Sequence, residues 1–414
     1  MEKKNIVIVG AGFGGVAAAL ALDKKLRAAG KTDLFQILLI DRHRHQLYTP
    51  ALYEIAAIPR ASAPDKPLAA SFLLPLEEIV KNTSIQILRD EFIRVDPSQN
   101  ILVTKNNSML PYRFLILALG AEVNYFNIPG LAEEGIPLKT AEDAVRLRNA
   151  VEEGMQKKES LKIVIGGAGA SGVELAAEFV NYVCALKEKD AHANICNASF
   201  LLVEGTPEIL PGFSPLIAGI TRKRLKQLGI VIKTNAKITS VKDCRVTFQD
   251  GAQEEYDILV WTGGVKGPAI FANSPLPLSP KGSILVDGNL RVKELQSVFA
   301  IGDNAFVIHQ KTNTPLPWVV PVAEAEARYV ASHIIREIKG KSLYPFRPWE
   351  KYPFVITAGK KYAIADLIFF QSWGILGWVI KIAVELRYLL SILPAKKAFR
   401  LWRKHVTLYQ ANDQ

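Results

Sequence analysis

The sequence predicts an α/β protein with two Rossmann-like domains, followed by a C-terminal amphipathic helical segment. Two stretches carry most of this prediction: residues 5–20 (NIVIVGAGFGGVAAAL) and residues 162–177 (KIVIGGAGASGVELAA). Each has a short β-branched run, a glycine-rich turn and an alanine-rich helical pattern, which is how a βαβ unit begins. The third observation is the chain after residue 350, where apolar residues at helical spacing precede a cluster of Lys and Arg.

The composition is that of a globular protein that can bury a large core. The chain has 414 residues, of which 49% are hydrophobic and 22% charged, and this is too apolar for a disordered chain. Its three cysteines, Cys184, Cys196 and Cys244, exclude a disulfide scaffold and a four-cysteine metal site, and we expect buried or incidental thiols. No metal-ligand spacing is present, so no metal is expected. The net charge of +11 predicts an anionic partner, either nucleic acid or lipid headgroups.

The N-terminus shows no targeting pattern. Residues 1–4 (MEKK) lead directly into the first predicted strand, whereas a signal peptide needs a longer apolar region and a small-residue cleavage site. The sequence therefore predicts a cytoplasmic or matrix-type location; for a peripheral membrane protein, this is the cytoplasmic face of the cell membrane.

The first glycine turn has the pattern of a dinucleotide-binding loop. Gly10, Gly12 and Gly15 fit G-x-G-x-x-G between a strand and a helix. The first glycine permits a tight turn, the second lets the backbone approach a pyrophosphate, and the third allows close helix–strand packing. Asp41 ends the next predicted strand, where it can accept hydrogen bonds from a ribose diol.

The second glycine turn repeats this arrangement. Gly167, Gly169 and Gly172 fit the same pattern, and Glu204 ends the following strand. An acid there favours NADH over NADPH, because a 2′-phosphate would meet the carboxylate. Two such motifs, each with its acid, predict a flavoprotein with two dinucleotide-binding domains.

Further predicted strands and glycine motifs follow in a consistent order. The strands are expected at residues 35–40, 113–119, 198–203, 230–233, 257–261 and 297–301. Their alternation with helices predicts parallel sheets covered on both faces. Gly263-Gly264 and Gly302-Asp303 each end a strand, and an Asp at that position can bind a ribityl hydroxyl or a phosphate.

In this order, the motifs GAGFGG, IDRHRHQLYTP, LALGA, GGAGASGVE, VWTGGVK and IGD resemble the type II NADH:quinone oxidoreductases, also called alternative NADH dehydrogenases. The resemblance runs from Asn5 to about Arg403. Its more specific parts are residues 47–53 (LYTPALY), 172–175 (GVEL), 261–266 (WTGGVK), Gly377-Trp378 and 387–389 (RYL).

The resemblance implies a disulfide-reductase-like flavoprotein fold, with FAD and NADH as cofactors. It places FAD in residues 1–125 and 268–350, NADH in residues 126–267, and a membrane-anchoring, quinone-access segment in residues 351–414. The implied FAD-binding residues are Gly10, Gly12, Gly15, Asp41, Ala118, Gly120, Gly302 and Asp303. The implied NADH-binding residues are Gly167, Gly169, Gly172, Glu204, Gly263 and Gly264.

The resemblance also implies the activity: hydride transfer from NADH to FAD, and reduction of a membrane quinone without proton pumping. Glu174, Glu324 and Lys381 are the implied catalytic residues, and the implied quinone site comprises Tyr48, Pro50, Pro321, Glu324, Arg328 and Lys381. In the resembled family the residue matching Glu174 lies near flavin and nicotinamide; the alternative is a solvated glutamate in the first turn of its helix. A homodimer is a further candidate assembly, with the C-terminal helices as its candidate interface.

The chain departs from the family at the quinone pattern A-Q-x-A-x-Q. Residues 323–328 read AEAEAR, so Glu324 and Arg328 replace the two glutamines. One interpretation is a changed quinone site. The other is that Glu324 and Arg328 pair across a helix turn, since they are four residues apart. Glu326 of the same stretch is a further candidate proton relay.

The C-terminal segment predicts a pair of helices lying in a membrane interface. Apolar residues at 378, 382, 386, 389 and 393 fit one helical face, and Lys381 and Glu385 are spaced to pair on another. Between 381 and 405 there are seven Lys or Arg and one acid, which suits an anionic leaflet. Trp373, Trp378 and Trp402 are expected at headgroup depth. The alternative is an ordinary packing helix or a dimer interface.

Three other functions compete with quinone reduction by NADH. The first is a flavin reductase with another acceptor, such as a specialised naphthoquinone or plastoquinone. The second is a sulfide:quinone-type enzyme, which needs catalytic cysteines; residues 41–60 contain none, and Cys184 and Cys196 fall far from the expected flavin. The third is a basic non-enzymatic flavoprotein that binds nucleic acid, although no nucleic-acid motif is present.

Overall fold

The computed structural model describes residues 3–106, 109–188 and 198–410, and the chain falls into two compact units. The first unit comprises Met1–Gln46, Leu74–Glu122 and Val265–Tyr352, and the second comprises Leu47–Leu73, Val123–Gly264 and Pro353–Gln414.

The α-helices are α1 (Phe13–Ala28), α2 (Leu52–Ala57), α3 (Asp65–Ser71), α4 (Leu76–Ile79), α5 (Leu131–Glu134), α6 (Ala141–Lys157), α7 (Ala170–Glu188), α8 (Pro215–Gln227), α9 (Val320–Ile338), α10 (Ile375–Ile392) and α11 (Ala395–Gln410). Short 3₁₀ helices span Thr49–Ala51, Ala269–Asn273 and Gly302–Asn304.

The strands are β1 (Lys4–Val9), β2 (Phe35–Asp41), β3 (His45–Leu47), β4 (Leu73–Pro75), β5 (Ile85–Arg89), β6 (Phe92–Asp96), β7 (Ile101–Thr104), β8 (Leu110–Pro111), β9 (Phe114–Leu117), β10 (Glu122–Val123), β11 (Ile136–Pro137), β12 (Leu161–Gly166), β13 (Ala198–Val203), β14 (Val231–Lys233), β15 (Ile238–Lys242), β16 (Arg245–Phe248), β17 (Gln253–Glu255), β18 (Ile258–Trp261), β19 (Val265–Lys266), β20 (Ile284–Leu285), β21 (Val298–Ala300), β22 (Ala305–Phe306), β23 (Phe354–Thr357), β24 (Ala363–Asp366) and β25 (Gln371–Gly374).

The first unit is built on a parallel sheet of order β21-β9-β1-β2-β5. Its strands are short apolar runs with little polar alternation, because both faces of such a sheet are covered. On β1, residues 6–9 are all buried. α1 packs against α9, and the antiparallel β6-β7-β8 sheet lies in the same unit.

The second unit repeats the arrangement with a parallel sheet of order β11-β18-β12-β13-β14. In both sheets the strand before the glycine turn is central, and the strand that carries the acid is its neighbour. The six strands expected from the sequence are all present, within two residues of the expected limits. The core beside this sheet includes Val164, Leu259 and Trp261, together with the β15-β16-β17 meander.

The C-terminal residues form a three-stranded antiparallel sheet, β23-β24-β25, followed by α10 and α11. Residues 367–374, which precede the predicted helical face, form a hairpin tip and β25. The face predicted from residue 378 lies on α10, which ends one residue before Leu393. α10 lies close to β24 at Gly377, where a Cβ atom would stand 2.1 Å from the Ala363 oxygen.

The expectation that all three tryptophans of this segment lie at headgroup depth is wrong in part. Trp373 is 51% exposed, but Trp378 is buried, and Trp402 is half-buried with its indole N–H donating to the Ile382 oxygen at 2.8 Å. Of these three tryptophans, only Trp373 is exposed as the prediction requires. Within the described ranges, no helix has the length and apolarity needed to span a bilayer.

The expectation of buried or incidental thiols is wrong for one cysteine. Cys184 is half-buried on α7 and is disulfide-bonded, while Cys244 is free and exposed. Cys196 lies outside the described residues. Spacing along the chain did not reveal this bond because it does not report distances in space.

Candidate cofactor and active sites

The glycine turn of the first unit is a backbone cradle that admits no side chain at two positions. A Cβ atom at Gly10 would stand 2.3 Å from the Ala118 oxygen, and one at Gly15 would stand 1.7 Å from the Gly10 oxygen. A Cβ atom at Gly12, by contrast, would have no neighbour within 4 Å in the described part of the chain. The open position lies at the N-terminus of α1, where an anion is favoured by the helix dipole and the unpaired N–H groups.

The second unit has a glycine cradle with the same close approaches and the same open position. A Cβ atom at Gly172 would stand 1.9 Å from the Gly167 oxygen, whereas one at Gly169 would meet nothing within 4 Å among the described residues. At Gly167, a Cβ atom would stand 2.5 Å from the Cα of Gly263, which places the Gly263-Gly264 turn against this cradle.

The acid of each motif is tied to its own cradle. In the first unit, the N–H groups of Ala11 and His43 each donate to the Asp41 carboxylate at 2.7 Å. In the second unit, those of Ala168 and Thr206 each donate to the Glu204 carboxylate at 2.9 Å. Each carboxylate oxygen keeps acceptor capacity beyond one bond, so both acids can also accept from a ribose diol.

The Gly302–Asn304 turn lies in the first unit, after β21, and is anchored at both ends. Asn304, which is fully buried, donates to the Leu117 oxygen at 3.0 Å and accepts from the Gly120 N–H at 3.1 Å. The Gly302 N–H donates to Glu326 Oε2 at 2.6 Å. Asp303 is therefore presented from a fixed turn, beside the end of β9 where Ala118 and Gly120 lie.

The predicted quinone-site residues of the first unit lie on α9. Pro321 is half-buried in its first turn, and Glu324 pairs with Arg328 at 3.3 Å across one helix turn. The pairing interpretation of these two residues is confirmed. Glu324 is buried, whereas the Arg328 side chain is 59% exposed, so the pair has one end in the core and one in solvent.

In the second unit, Glu174 is a half-buried residue on α7 rather than a solvated one. Burial raises the pKa of its carboxyl to about 8, although the Thr357 N–H donated at 3.2 Å and the Lys381 charge both lower it. Glu54 acts in the same direction as burial. At neutral pH this group therefore keeps its proton and can release it just above that range.

Lys381 forms an ion pair with Glu54 instead of the expected pair with Glu385. Both side chains are mostly removed from solvent, with 13% and 5% exposed, respectively. Burial disfavours the lysine charge, but the carboxylates of Glu54 and Glu385 outweigh it and raise the pKa of Lys381. Helical spacing correctly put Lys381 and Glu385 on neighbouring turns, but partners from other elements satisfy both residues.

Aromatic rings surround this pair. The Lys381 Nζ lies 3.8 Å from the centre of the Tyr409 ring and 5.6 Å from that of Tyr53. Tyr48 is buried and stacks on Tyr388, with ring centres 5.6 Å apart. Pro50 is exposed in the 3₁₀ helix Thr49–Ala51. Lys381 thus lies against aromatic rings, pairs with Glu54, and is close enough to Glu174 for its charge to lower the pKa of that carboxyl.

The sequence interpretation missed Glu54, Asn304 and the partners of Glu385. Glu54 had one usable signal, since it is the only charged residue in the apolar run 51–58. A charge in such a run is expected to be paired when buried. Within the described ranges, no group of three or more His, Cys, Asp or Glu residues could hold a metal ion.

Comparison with known proteins identifies the class. The family model described as pyridine nucleotide-disulphide oxidoreductase matches residues 4–327, so the chain belongs to this family. The fold is that of NDH2 from Plasmodium falciparum, solved in complex with NADH: the TM-score is 0.83 at 19% identity, covering 100% of this chain and 99% of that one.

Among curated proteins, the chain is similar to the type II NADH:quinone oxidoreductase Ndh of Mycobacterium tuberculosis. The two are 27% identical over 421 aligned positions, covering 94% of this chain and 85% of that protein. It is also 28% identical to the demethylphylloquinone reductase NdbB of Synechocystis, covering 83% of this chain and 82% of that protein. The resemblance to type II NADH:quinone oxidoreductases is confirmed by these relatives.

Proposed function

We propose that this chain is a peripheral membrane flavoprotein that oxidises NADH through FAD and reduces a membrane quinone, without pumping protons. One observation carries the proposal. The chain builds the same cradle twice, with an open glycine at a helix N-terminus and an acid fixed beside it. A single cradle would suit many nucleotide-binding proteins, whereas two in one chain suit a flavin and a diffusible reductant.

The first cradle, the Ala118–Gly120 stretch and the Gly302-Asp303 turn would hold FAD, and the second cradle with Gly263 and Gly264 would hold NADH. This follows the proposed division into an FAD-binding domain of residues 1–125 and 268–350 and an NADH-binding domain of residues 126–267. Bound FAD would supply the redox chemistry, because a flavin can accept a hydride from NADH and give electrons to a quinone.

A remaining task of the protein is to supply a proton, since NADH, a quinone and one proton together give NAD⁺ and a quinol. Glu174 is suited to this because its carboxyl is protonated at neutral pH, with a pKa of about 8. Lys381 carries a charge-assisted donor for a quinone carbonyl. Tyr48 and Pro50, with Pro321, Glu324 and Arg328 on α9, complete the proposed set.

Membrane binding is proposed for the C-terminal segment, residues 351–414. The tip of the β24–β25 hairpin exposes Phe369 to 98%, and Ile375 is 70% exposed at the start of α10. α11 adds Lys396, Lys397, Arg400, Arg403 and Lys404. Exposed apolar side chains beside basic residues fit an anionic lipid surface better than they fit nucleic acid.

Exchange of single glycines in the purified full-length protein tests the cofactor assignment. Gly12→Ala and Gly169→Ala place a methyl group where no described residue stands, so both variants should fold while the methyl group takes the space of a phosphate. Losing one or two backbone hydrogen bonds to an anion, each about 1.5–3 kcal/mol, predicts a loss of affinity of at least about tenfold. Gly219→Ala, on α8 with equal open space, is the matched control.

We expect Gly12→Ala to lose the yellow FAD spectrum and Gly169→Ala to keep it while the KM for NADH rises. The wild-type protein should bleach on addition of NADH and recover colour with a soluble quinone. A colourless wild-type protein that FAD does not reconstitute, or normal NADH kinetics in Gly169→Ala, would contradict the proposal. Comparing ubiquinone, naphthoquinone and plastoquinone analogues then tests which acceptor is used.

Vesicle binding tests the membrane assignment. Phe369→Ser combined with Ile375→Ser should weaken binding to vesicles containing anionic lipid, because these side chains make few contacts within the protein. Deleting residues 366–414 is a poorer test, since it removes Lys381 and leaves its buried partner Glu54 unpaired. Equal sedimentation of the double variant and the wild-type protein with the vesicles would exclude a role for the hairpin tip.

A further inference from the structure

The carboxyl group of Glu326 is buried in the first unit beside the turn that presents Asp303. Glu326 is only 2% exposed, and its Oε2 accepts the Gly302 N–H at 2.6 Å. Glu326 lines a small cleft together with Gly302, Asp303 and Trp318. A titratable side chain thus lies directly behind the backbone on which the proposed flavin contact depends.

The turn has two anchors with different properties. Asn304 ties its far end to Leu117 and Gly120 through an amide, which does not change charge with pH. Glu326 holds the near end of the turn through a carboxyl group, and the charge of a carboxyl group does change with pH. The position of Asp303 therefore depends on Asn304, whose charge is fixed, and on Glu326, which can gain or lose a proton.

We propose that Glu326 is a positioning residue for the flavin nucleotide: its buried carboxyl holds the Gly302-Asp303 turn through the Gly302 N–H, and its ionisation weakens flavin binding by adding a negative charge beside Asp303. The inference rests on the proposed function, because it takes FAD as the occupant of this cradle. The inference goes beyond the proposed function because it makes the affinity for FAD depend on the protonation of one side chain.

The electrostatics support this dependence. Burial raises the pKa of Glu326 to about 8, the Gly302 N–H lowers it, and the neighbouring Asp303 carboxyl raises it. Tyr352 also faces this group, and burial raises its own pKa, so the phenol stays neutral where Glu326 titrates. A second negative charge next to Asp303 is repulsive in a poorly solvated site, and an anionic nucleotide bound at this turn would add to that repulsion.

The size of the effect follows from linkage. If only the protonated form binds FAD well, the Kd rises as that form is depleted. A group with a pKa of about 8 loses about nine-tenths of its protonated form between pH 7 and pH 9. The expected increase in the FAD Kd is therefore at most about tenfold over this range.

The experiment measures the Kd of FAD for the flavin-free full-length protein between pH 6 and pH 9 by flavin fluorescence. Glu326→Gln keeps a carbonyl oxygen for the Gly302 N–H but does not titrate, so its Kd should match that of the wild-type protein at pH 7 and stay flat. Glu326→Ala, which lacks both the acceptor and the charge, should bind FAD more weakly than the wild-type protein at pH 7 and should show no such pH dependence. Glu337→Gln makes the same chemical change near the end of α9 and should keep the wild-type profile.

Two results would overturn the inference: the wild-type pH profile in Glu326→Gln, or wild-type affinity at all pH values in Glu326→Ala. If Glu326→Ala does not fold, the profile of Glu326→Gln decides alone. Failure of the proposed function is distinguishable, because the wild-type protein would then bind no FAD at any pH.

Discussion

Replacing His405 with phenylalanine tests how the two C-terminal helices are held in the second unit. The His405 side chain is fully buried, and its Nδ1 contacts Glu385 Oε1 on α10. Its Nε2 lies 2.8 Å from the Ser71 carbonyl oxygen at the end of α3. Because that oxygen can only accept, Nε2 is the donor of this hydrogen bond. Tyr409 donates to the other Glu385 oxygen at 3.0 Å.

The magnitude follows from which groups lose their partners. Phenylalanine preserves the ring that stacks on Phe72, where the centres are 4.4 Å apart, so little packing is lost. Glu385, with its side chain 1% exposed, keeps only its bond from Tyr409, and the Ser71 oxygen loses its donor. Removing one partner of a buried ion pair costs about 3–5 kcal/mol. At the lower limit, the population in which α11 is detached rises about 100-fold.

Limited proteolysis and amide hydrogen exchange of residues 395–410 measure this population at constant pH. His405→Phe should increase cleavage and exchange in α11 about 100-fold when opening and closing are fast. Combining it with Glu385→Leu should restore most of the protection, because no buried carboxylate then remains to be paired. Protection within threefold of wild type in the single variant, or a double variant less protected than either single one, would refute the reasoning.

Other perturbations have equally defined outcomes. Lys381→Met should lower the Tm by several degrees, because Glu54 is then buried without its cation; Lys381→Met combined with Glu54→Gln should recover part of the loss. For Glu174, the unfolded carboxyl releases its proton near 4.5 and the folded one near 8. The free energy of unfolding should therefore fall as pH rises from about 5 to about 8, and a flatter curve is expected for Glu174→Gln. Arg148→Met should cost about 3 kcal/mol in chemical unfolding, since its fully buried guanidinium donates to the Ala63 oxygen at 2.8 Å and pairs with Asp65. The exposed Arg146→Met on the same helix should change little.

Within the second unit, these predictions involve a common set of elements. Arg148 on α6 holds the Ile58 and Ala63 carbonyl oxygens, and the chain then continues into α3, whose last residue, Ser71, accepts from His405. The loop before α3 and the helix α11 are therefore connected through α3. The variants at Arg148 and His405 should accordingly affect protection of the same region.

The dinucleotide cradles could be predicted from the sequence because they are local. Gly10, Gly12 and Gly15 lie within six residues, and the acid of the motif follows on the next strand. The backbone at Gly15 approaches Gly10 so closely that no side chain fits. Only glycine meets this steric requirement, so the residue type itself indicates the close approach. The apolar runs of β1 and β12 indicate buried parallel strands for the same reason.

The buried ionic cluster of the second unit could not be predicted in this way. Glu54 and Lys381 are separated by 327 positions, and Ser71 and His405 by 334. Helical spacing predicted Glu385 as the partner of Lys381. In the buried site, however, Lys381 pairs with Glu54 on α2, because buried charges need close partners and another element supplies this one. Patterns along a chain report secondary structure and local turns, whereas the pairing of buried charges depends on which elements pack together, and this only the three-dimensional fold determines.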